Sequence, residues 1–352
     1  MEQRDFHATI NIVTWNSEEY IEDLLVSLEA QTFLGFHIII VDNASSDRTL
    51  SIIEKHSNIT LIKNGSNLGF SRAHNKGINM ALKFWDGKSL DDRFIIVCNP
   101  DVVLKEDCLE KLISSLYKEK QTAVMGPKLL RIFDEEVDNL SHKSKSNTID
   151  SLGIRCSKSR KAIDSCAGEE DGHNIESKSV FAISGAFMCI RVLSLPTIKQ
   201  GKEYFDEDFF AYKEDIDLCW RLRNMGWDIK IEPGAVAYHY RKVRGDEKAS
   251  LLKKMQNQKL KPRLIKLLSV RNHFWLVWKN DFLSNKLIHL PFIITREFGN
   301  FFYNFIFDRK ILGAYLFALY GMPKMMRKRK YLKNAKIDAK EIRKWFGQSK
   351  IK

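Results

Sequence analysis

Short apolar runs alternate with helical patterns through the first third of the chain. The apolar runs predict four strands, at residues 8–13, 36–41, 59–62 and 94–97. Runs of this length, rich in Ile and Val, are typical of strands buried on both faces of a sheet. The spacing of apolar residues predicts helices at about residues 18–31 and 71–84. Alternating strands and helices favour βαβ units, so the predicted fold class is α/β with a mostly parallel, Rossmann-like sheet and flanking helices.

Polar loops follow three of these strands, at residues 14–17, 42–47 and 99–101. In an open parallel sheet these loops lie at one edge, where ligands bind. Asp101 follows a strand that ends before Pro100, because proline has no N–H to donate to the ladder. A carboxylate there can hold a hard divalent cation, and the cation can hold a diphosphate.

Asp42 suits the edge of uracil or thymine, or a ribose hydroxyl, because a carboxylate accepts from N–H and O–H donors. Ordinary turn and cap roles for Asp42 and Asp47 stay open. The chain contains neither GxGxxG nor a P-loop lysine motif. Their absence argues against an NAD enzyme and against a P-loop kinase.

A dense acidic segment lies between Asp206 and Asp217, interrupted by aromatic residues. Like charges at this density raise some carboxyl pKa values unless a cation compensates, and a carboxylate with a raised pKa is a good general base. The alternative is a solvated acidic loop followed by an ordinary helix N-terminus, where acids are favoured.

Taken in order, these motifs resemble family 2 glycosyltransferases of the GT-A fold, and most closely the bacterial rhamnosyltransferase-like branch. The resemblance covers roughly residues 8–245. The matching stretches are Thr14-Trp-Asn-Ser17, Val41-Asp-Asn-Ala-Ser-Ser-Asp47, Asn67-Leu-Gly-Phe70 with Ala73 and Asn75, Asn99-Pro-Asp101, Ser184-Gly-Ala-Phe-Met188, the acidic segment, and Ala237-Tyr-His-Tyr240. In that branch Asn-Pro-Asp commonly stands where other members have Asp-x-Asp.

The resemblance implies an inverting transfer of a sugar, with rhamnose as the first choice, from a dTDP- or UDP-linked donor to a hydroxyl of a glycan or polyprenyl-linked glycan. Asp215 is then the catalytic base, with Glu214 beside it. A divalent Mn²⁺ or Mg²⁺ is held by Asp101 and His239, although His239 in its apolar run also suits a satisfied core histidine. The residues implied in donor binding are Thr14, Asn16, Asp42, Asn43, Asn67, Asn75 and Asn99.

Charge divides the 352 residues into two regions. From Lys261 to the end there are 21 Lys and Arg against 5 Asp and Glu, a net charge of +16, so the first 260 residues carry −3 of the total of +13. We expect a GT-A domain at residues 1–245, with a mobile acceptor-side insert at 131–180, and a helical, basic and apolar region at 246–352. Aromatic residues beside cations suit a membrane interface, although a helical hairpin packed on the catalytic domain fits as well, and both can hold.

Two other functions fit the sequence less well. A nucleotidyltransferase usually has a glycine-rich basic loop near its N-terminus, and residues 10–17 are neither glycine-rich nor basic. A non-catalytic basic protein that binds membranes or nucleic acid leaves the acidic segment unexplained, so no nucleic-acid partner is expected. Six cysteines without a CxxC pair, and a start with no signal peptide, favour the cytoplasm. The basic C-terminal region, with the lipid-linked acceptor that the resemblance allows, suggests association with the inner face of the plasma membrane.

Overall fold

The computed structural model describes residues 6–137, 140–172, 176–241 and 262–348. The strands are β1 (Ala8–Thr14), β2 (Phe36–Asp42), β3 (Ile59–Lys63), β4 (Phe94–Cys98), β5 (Val102–Leu104), β6 (Thr122–Val137), β7 (Leu140–Ser151), β8 (Ile154–Cys156), β9 (Ala162–Asp164), β10 (Lys178–Ser179), β11 (Phe187–Arg191) and β12 (Asp228–Arg241). The helices are α1 (Ile21–Glu29), α2 (Thr49–Ile53), α3 (Gly69–Phe84), α4 (Cys108–Lys118), α5 (Leu195–Ile198), α6 (Glu214–Asn224), α7 (Arg263–Asn280), α8 (Leu283–Ile288), α9 (Leu290–Phe307), α10 (Gly313–Lys328) and α11 (Ala339–Arg343).

One mixed sheet forms the centre of the fold, in the order β10-β12-β6-β11-β4-β1-β2-β3. The four predicted strands are adjacent and parallel, which confirms this part of the sequence analysis. Thr14 pairs with Asp42, and Ile12 pairs with Cys98. The carboxyl ends of β1, β2 and β4 therefore lie at one edge of the sheet.

Apolar side chains cover both faces of this sheet. Ile39, Val41 and Val97 pack with α3 on one face, whereas Ile10, Ile40 and Ile96 pack with α1 and α4 on the other. Burial on both faces explains the unbroken apolar runs of β2 and β4, whereas β1 also buries Thr9 and Asn11. All six cysteines are buried and free, as expected for residues that pack as small hydrophobes.

Two elements differ from the sequence-based expectation. Helix α1 begins at Ile21 with no side-chain cap, not at residue 18, because Ser17 Oγ accepts from Trp15 N at 3.2 Å in the loop and does not cap the helix. The insert contains the short strands β8, β9 and β10 and also a long antiparallel hairpin of β6 and β7, which the polar sequence of the insert did not predict. The first part of β6 is apolar and packs in the core, as Val124 and Leu130 do.

The C-terminal region is helical, as predicted. The expected boundary between residues 245 and 246 lies outside the described residues, and so does the beginning of the expected helix at 246–280. Among the helices of the described ranges, none is both long enough and apolar enough to cross a bilayer.

Candidate active site

Side-chain hydrogen bonds join the ends of β1 and β2. Thr14 Oγ1 donates to Asp42 Oδ1 at 2.8 Å, and Ser45 donates to Asp42 through both Oγ and N–H, at 2.6 and 3.0 Å. Asn16 is exposed in a left-handed conformation, and its Oδ1 accepts from Ser46 N at 2.9 Å. Three of the predicted donor-binding residues therefore share one edge of the sheet, although Asp42 is nearly buried in its own turn.

Asn43 and Asn67 shape the loop that leads into α3. Asn43 Oδ1 accepts from Asn64 Nδ2 at 2.8 Å, and Asn43 Nδ2 donates to Gly69 O at 3.3 Å. Asn67 Oδ1 accepts from Gly69 N at 2.9 Å. Gly69 has a φ of +77°, and a Cβ there would lie 2.6 Å from Phe210 O. Only glycine allows this loop to approach the acidic segment so closely.

Asn75 fastens the acidic segment to α3. Its Oδ1 accepts from the N–H groups of Tyr204 and Phe205 at 3.1 and 2.9 Å. Its Nδ2 donates to Phe205 O at 2.8 Å and to Glu207 Oε1 at 3.2 Å. All four hydrogen-bonding positions of the amide are filled, so the predicted contact between Asn75 and a donor would require one of these bonds to break.

Asp101 and His239 lie together where β4 leads into β5. His239 Nε2 is 3.4 Å from Asp101 Oδ1, and His239 Nδ1 is 2.9 Å from Asp150 Oδ2. Arg131 in turn donates to Asp150 Oδ1 at 3.3 Å. Burial disfavours a charged imidazole, but the two neighbouring carboxylates outweigh burial and raise the pKa of His239 to about 9. These partners identify His239 as a residue of a polar cluster rather than of an apolar core.

The residues present suit a metal held jointly with a substrate. Asp101 Oδ1 is buried, and its nearest partner is His239 Nε2 at 3.4 Å, without a well-formed hydrogen bond. Asp150 orients the His239 ring as carboxylates do beside metal-binding histidines. Within the described ranges, no three His, Cys, Asp or Glu side chains gather as a complete site. A Mg²⁺-like ion commonly uses one or two protein ligands and takes the others from phosphates and water.

Glu214 and Asp215 open helix α6 and lie at the centre of the site. Asp215 Oδ2 accepts from Gly185 N at 2.8 Å, and Oδ1 accepts from Ile216 N at 2.7 Å. Burial raises the pKa of Asp215 despite these hydrogen bonds. Burial and the charge of Asp215 raise the pKa of Glu214 further. A Cβ at Gly185 would lie 3.3 Å from Asp215 Cβ, so glycine permits this close approach.

A cavity of about 590 Å³ connects these groups. It brings together four of the predicted site residues, namely Asn99, Glu214, Asp215 and His239. Ile154, Ala162, Ile163 and Asp164 of the hairpin formed by β8 and β9 line another wall. The remaining predicted residues, Thr14, Asn16, Asp42, Asn43, Asn67, Asn75 and Asp101, do not line it. The cavity therefore joins the acidic segment to the insert and to the end of β4, but not to the loops of β1 and β2.

Helix α7 holds the acidic segment in place. Lys279 Nζ donates to Asp206 Oδ2 at 2.6 Å and to Asp217 Oδ2 at 2.8 Å, with all three side chains fully buried. Asn272 Nδ2 lies 2.8–3.0 Å from the carbonyl oxygens of three residues, Phe209, Ala211 and Tyr212. A cation therefore compensates Asp206 and Asp217, whereas Glu214 and Asp215 of the same segment have raised pKa values.

Sequence reasoning missed Asp150 and the α7 contacts. Asp150 lies in a polar insert, where nothing distinguishes it from its neighbours. Asn272 and Lys279 carried a usable signal, because polar side chains inside an apolar helical pattern are rarely buried without partners. Trp15 was also missed: its indole is 57% exposed beside Asn16.

Comparisons with known proteins agree with the motifs. A family model described as "Glycosyl transferase family 2" matches residues 9–179. The chain is 30% identical to rhamnosyltransferase WbbL of Escherichia coli K12 over 240 residues, which cover 66% of this chain and 82% of WbbL. It is 25% identical over 233 residues to the N-acetylglucosaminyl-diphospho-decaprenol L-rhamnosyltransferase of Mycobacterium tuberculosis, covering 65% of this chain and 74% of that enzyme.

A solved structure shows the same fold. The structure of GalNAc-T7 with UDP, GalNAc and Mn²⁺ gives a TM-score of 0.58 at 12% identity, over 80% of this chain and 49% of that chain. This chain thus spans about half the length of GalNAc-T7. The likeness supports the GT-A architecture predicted from the motifs. Together with the matches to sequence relatives, it leads to one conclusion: the chain is a glycosyltransferase of family 2, in the rhamnosyltransferase-like branch.

Proposed function

We propose that this glycosyltransferase moves a sugar, rhamnose in the first instance, from a dTDP- or UDP-linked donor to a hydroxyl of a polyprenyl-diphosphate-linked glycan, with inversion. The observation that carries the proposal is the cavity in which Asp215, with its raised pKa, lies beside Glu214, Asn99 and His239. The rhamnosyltransferase names of two relatives support the sugar, and the decaprenol-linked acceptor named for one of them supports the acceptor class.

Asp215 acts as the general base. The acceptor oxygen attacks the anomeric carbon, the bond from that carbon to the diphosphate oxygen breaks, and the diphosphate leaves with the electron pair. The acceptor proton passes to the Asp215 carboxylate. The N–H groups of Gly185 and Ile216 aim this carboxylate, while the raised pKa makes it a better proton acceptor. Attack from the side opposite the leaving group inverts the anomeric configuration.

Asp101 and His239 would hold a divalent cation, Mn²⁺ or Mg²⁺. When bound, such a cation stabilises the negative charge that develops on the leaving diphosphate. Mn²⁺ accompanies UDP in the structure of GalNAc-T7. Asn99, whose backbone N–H donates to Ala186 O at 2.9 Å, lines the same cavity as His239 and Asp215.

The nucleoside binds at the edge of β1 and β2. Thr14, Asn16 and Asp42 lie together there, and among the described residues Asp42 Oδ2 accepts a single hydrogen bond, from Ser45 N. That oxygen is suited to accept from a base or ribose donor. The exposed ring of Trp15 provides a surface on which a base can stack. Asn43, Asn67 and Asn75 support this edge and the acidic segment through the protein contacts described above.

The catalytic domain is residues 1–245, the acceptor enters beside the insert at 131–180, and the helical region at 246–352 meets the membrane. Helix α9 has no buried residue, and the phenylalanines along it are about half exposed. From Lys286 to Lys333 the chain has 10 Lys and Arg against 2 Asp and Glu. An anionic bilayer surface complements both features, since apolar side chains enter it and cations pair with its headgroups.

Asp215→Asn tests the chemistry. The variant retains an acceptor oxygen for Gly185 N but cannot take a proton, so we expect turnover to fall on the order of 10³-fold while nucleotide binding stays intact. Asp164→Asn, which changes another carboxyl of the same cavity, is the matched control and is expected to lose less than about tenfold. Full activity of Asp215→Asn would remove this residue as the base.

A thermal-shift panel with dTDP, UDP, GDP and CDP, each with Mn²⁺ or Mg²⁺ and again with EDTA, tests the donor site. Ligands that bind only the native state raise its apparent stability. We expect the shift with dTDP or UDP to disappear in EDTA and in Asp101→Ala. A shift that survives both changes would take the metal away from Asp101 and His239.

A further inference from the structure

Lys213 occupies an unusual place immediately before the two acids of α6. Its φ is +71°, and that of Tyr212 is +69°. Left-handed backbone at two successive non-glycine residues is unfavourable and persists only where surrounding contacts impose it. Those contacts are present, because Asn272 binds the carbonyl oxygens of Ala211 and Tyr212. The fold therefore holds Lys213 in a conformation that a lysine does not choose by itself.

The lysines that meet the acidic segment have different surroundings. Lys279 and Lys328 pair with Asp206, and Lys324 pairs with Asp208. Lys213 lines the cavity beside Glu214 and Asp215, yet among the described residues its ammonium has no hydrogen-bond or ion-pair partner. A cation in the catalytic cavity that the protein leaves unpaired is available to a negatively charged ligand.

The charges around Lys213 favour an incoming anion. Burial, and then the positive charge of Arg296, lower the pKa of Lys213 to about 8, while Asp215 and Glu297 oppose this change. Arg296 is already engaged, because it binds His273 Nε2 at 2.5 Å and also pairs with Glu297. Arg296 has an ion-pair partner in Glu297, whereas Asp215 and Glu297 act on Lys213 without an ion-pair contact. A phosphate would provide the direct partner that Lys213 lacks.

We propose that Lys213 binds a phosphate of the acceptor, the diphosphate that joins the glycan to its lipid. This rests on the function proposed above. Asn99 and His239 of the proposed donor side line the same cavity, but Lys213 also shares it with Ser269 of α7 and with the hairpin of β8 and β9 in the proposed acceptor-side insert. We favour the acceptor because Arg296, whose charge acts on Lys213, lies on α9, the helix that we propose meets the membrane.

The test compares two acceptors that differ only in the phosphate. One carries the sugar on a polyprenyl diphosphate, and the other carries the same sugar on an alkyl chain. We expect Lys213→Met to lower the ratio of their kcat/KM values at least tenfold, mainly through the KM of the diphosphate acceptor, and Lys213→Arg to restore most of it. Lys324→Met, which removes a lysine of α10 that pairs with Asp208 of the acidic segment, should leave the ratio unchanged.

Two results of this kinetic comparison would overturn the proposal. An equal loss with both acceptors would show that Lys213 has a structural role, and a rise in donor KM alone would assign the phosphate to the donor. Calorimetric titration of farnesyl diphosphate into wild type, Lys213→Met and Lys213→Arg repeats the test without turnover. If wild type bound farnesyl diphosphate through Lys213 but transferred sugar to neither acceptor, the proposed function would be wrong and the phosphate site would still be supported. Equal binding by all three proteins would show that Lys213 does not bind the phosphate.

Discussion

Helices α7 and α9 have the same length, 18 residues each, and both carry many apolar side chains, yet they meet opposite environments. Helix α7 buries eight residues, Asn272, Lys279 and Asn280 among them, whereas α9 buries none. Helix α9 has the higher average hydrophobicity along its sequence, so apolar content does not decide which helix is covered by protein. Specific polar partners decide which helix is covered, because buried polar groups need hydrogen bonds that only a matching protein surface supplies.

This contrast divides the C-terminal region by function. Helix α7 is part of the catalytic site, since its side chains hold the backbone between Asp208 and Tyr212. Helix α9 offers a surface that nothing in the described chain covers. The two alternatives from the sequence, a helical hairpin packed on the domain and a membrane-interface segment, therefore apply to different helices: packing holds for α7, and the membrane remains our proposal for α9.

The largest effect is expected from breaking the α7 contact at its buried charge. Lys279→Met leaves the fully buried carboxylates of Asp206 and Asp217 without one of their cations. We expect a loss of about 3–5 kcal/mol in the free energy of unfolding, measured by urea denaturation, together with loss of transferase activity. Lys310→Met changes an exposed lysine after α9 and serves as the control. A loss below about 1 kcal/mol would show that Lys328, Arg221 and Asn280 suffice.

The membrane surface is tested on α9. Phe298 and Phe302 are 66% and 53% exposed, so replacing both with Asp should leave the unfolding free energy nearly unchanged. Each substitution removes apolar surface whose burial in the bilayer is worth about 1.5–3 kcal/mol. We therefore expect binding to anionic vesicles to fall on the order of 100-fold. Flotation measures this binding.

The matched control for this experiment is Leu34→Asp. Leu34 is 79% exposed and lies between α1 and β2, far from α9 in the sequence. It should bind vesicles as wild type does. If the Phe298→Asp, Phe302→Asp protein floated equally well, or if it unfolded, α9 would not be the membrane surface.

A milder change to α7 separates positioning from stability. Asn272→Ala removes the donor that serves three backbone carbonyl oxygens. Unsatisfied buried acceptors cost about 1–3 kcal/mol, so we expect a moderate loss of stability and a fall in kcat of about tenfold with the donor KM little changed. Asn300→Ala, at an exposed position of α9, should alter neither quantity. A change in KM alone would mean that Asn272 does not position Asp215.

The smallest effect is expected from pH. Burial opposes ionisation of Asp206, but Lys279 and Lys328 outweigh burial and hold the pKa of this carboxyl well below its usual range. A carboxyl group whose pKa is lowered on folding contributes its full stability at pH values above its pKa in the unfolded chain, about 3.9. That contribution is lost progressively as the pH falls from this value through the lower pKa of the folded state. We expect the unfolding free energy of wild type to fall more steeply from pH 5 to pH 3 than that of Lys279→Met. Parallel slopes would contradict the assignment.

Much of the fold could be predicted from local patterns. The four apolar runs correspond to β1 to β4, and the register of Thr14 with Asp42 places the polar loops at one edge as expected. Asp101 and His239 were paired through motifs alone, and the structure brings them within 3.4 Å. The start of α1 was predicted wrongly and the long insert hairpin was not predicted, because loop hydrogen bonds and strand pairing overrode local preference.

The sequence by itself determined the buried strands, the polar loops at their ends, the family and the division of charge, because each depends on neighbouring residues or on composition. Tertiary structure decided which amides serve the fold, which lysines are paired and which helix is covered. Asn75 meets Phe205 across 130 residues, and Lys279 meets Asp206 across 73. Such contacts depend on how distant elements dock, and the apolar periodicity that places a helix does not state what its polar side chains will face.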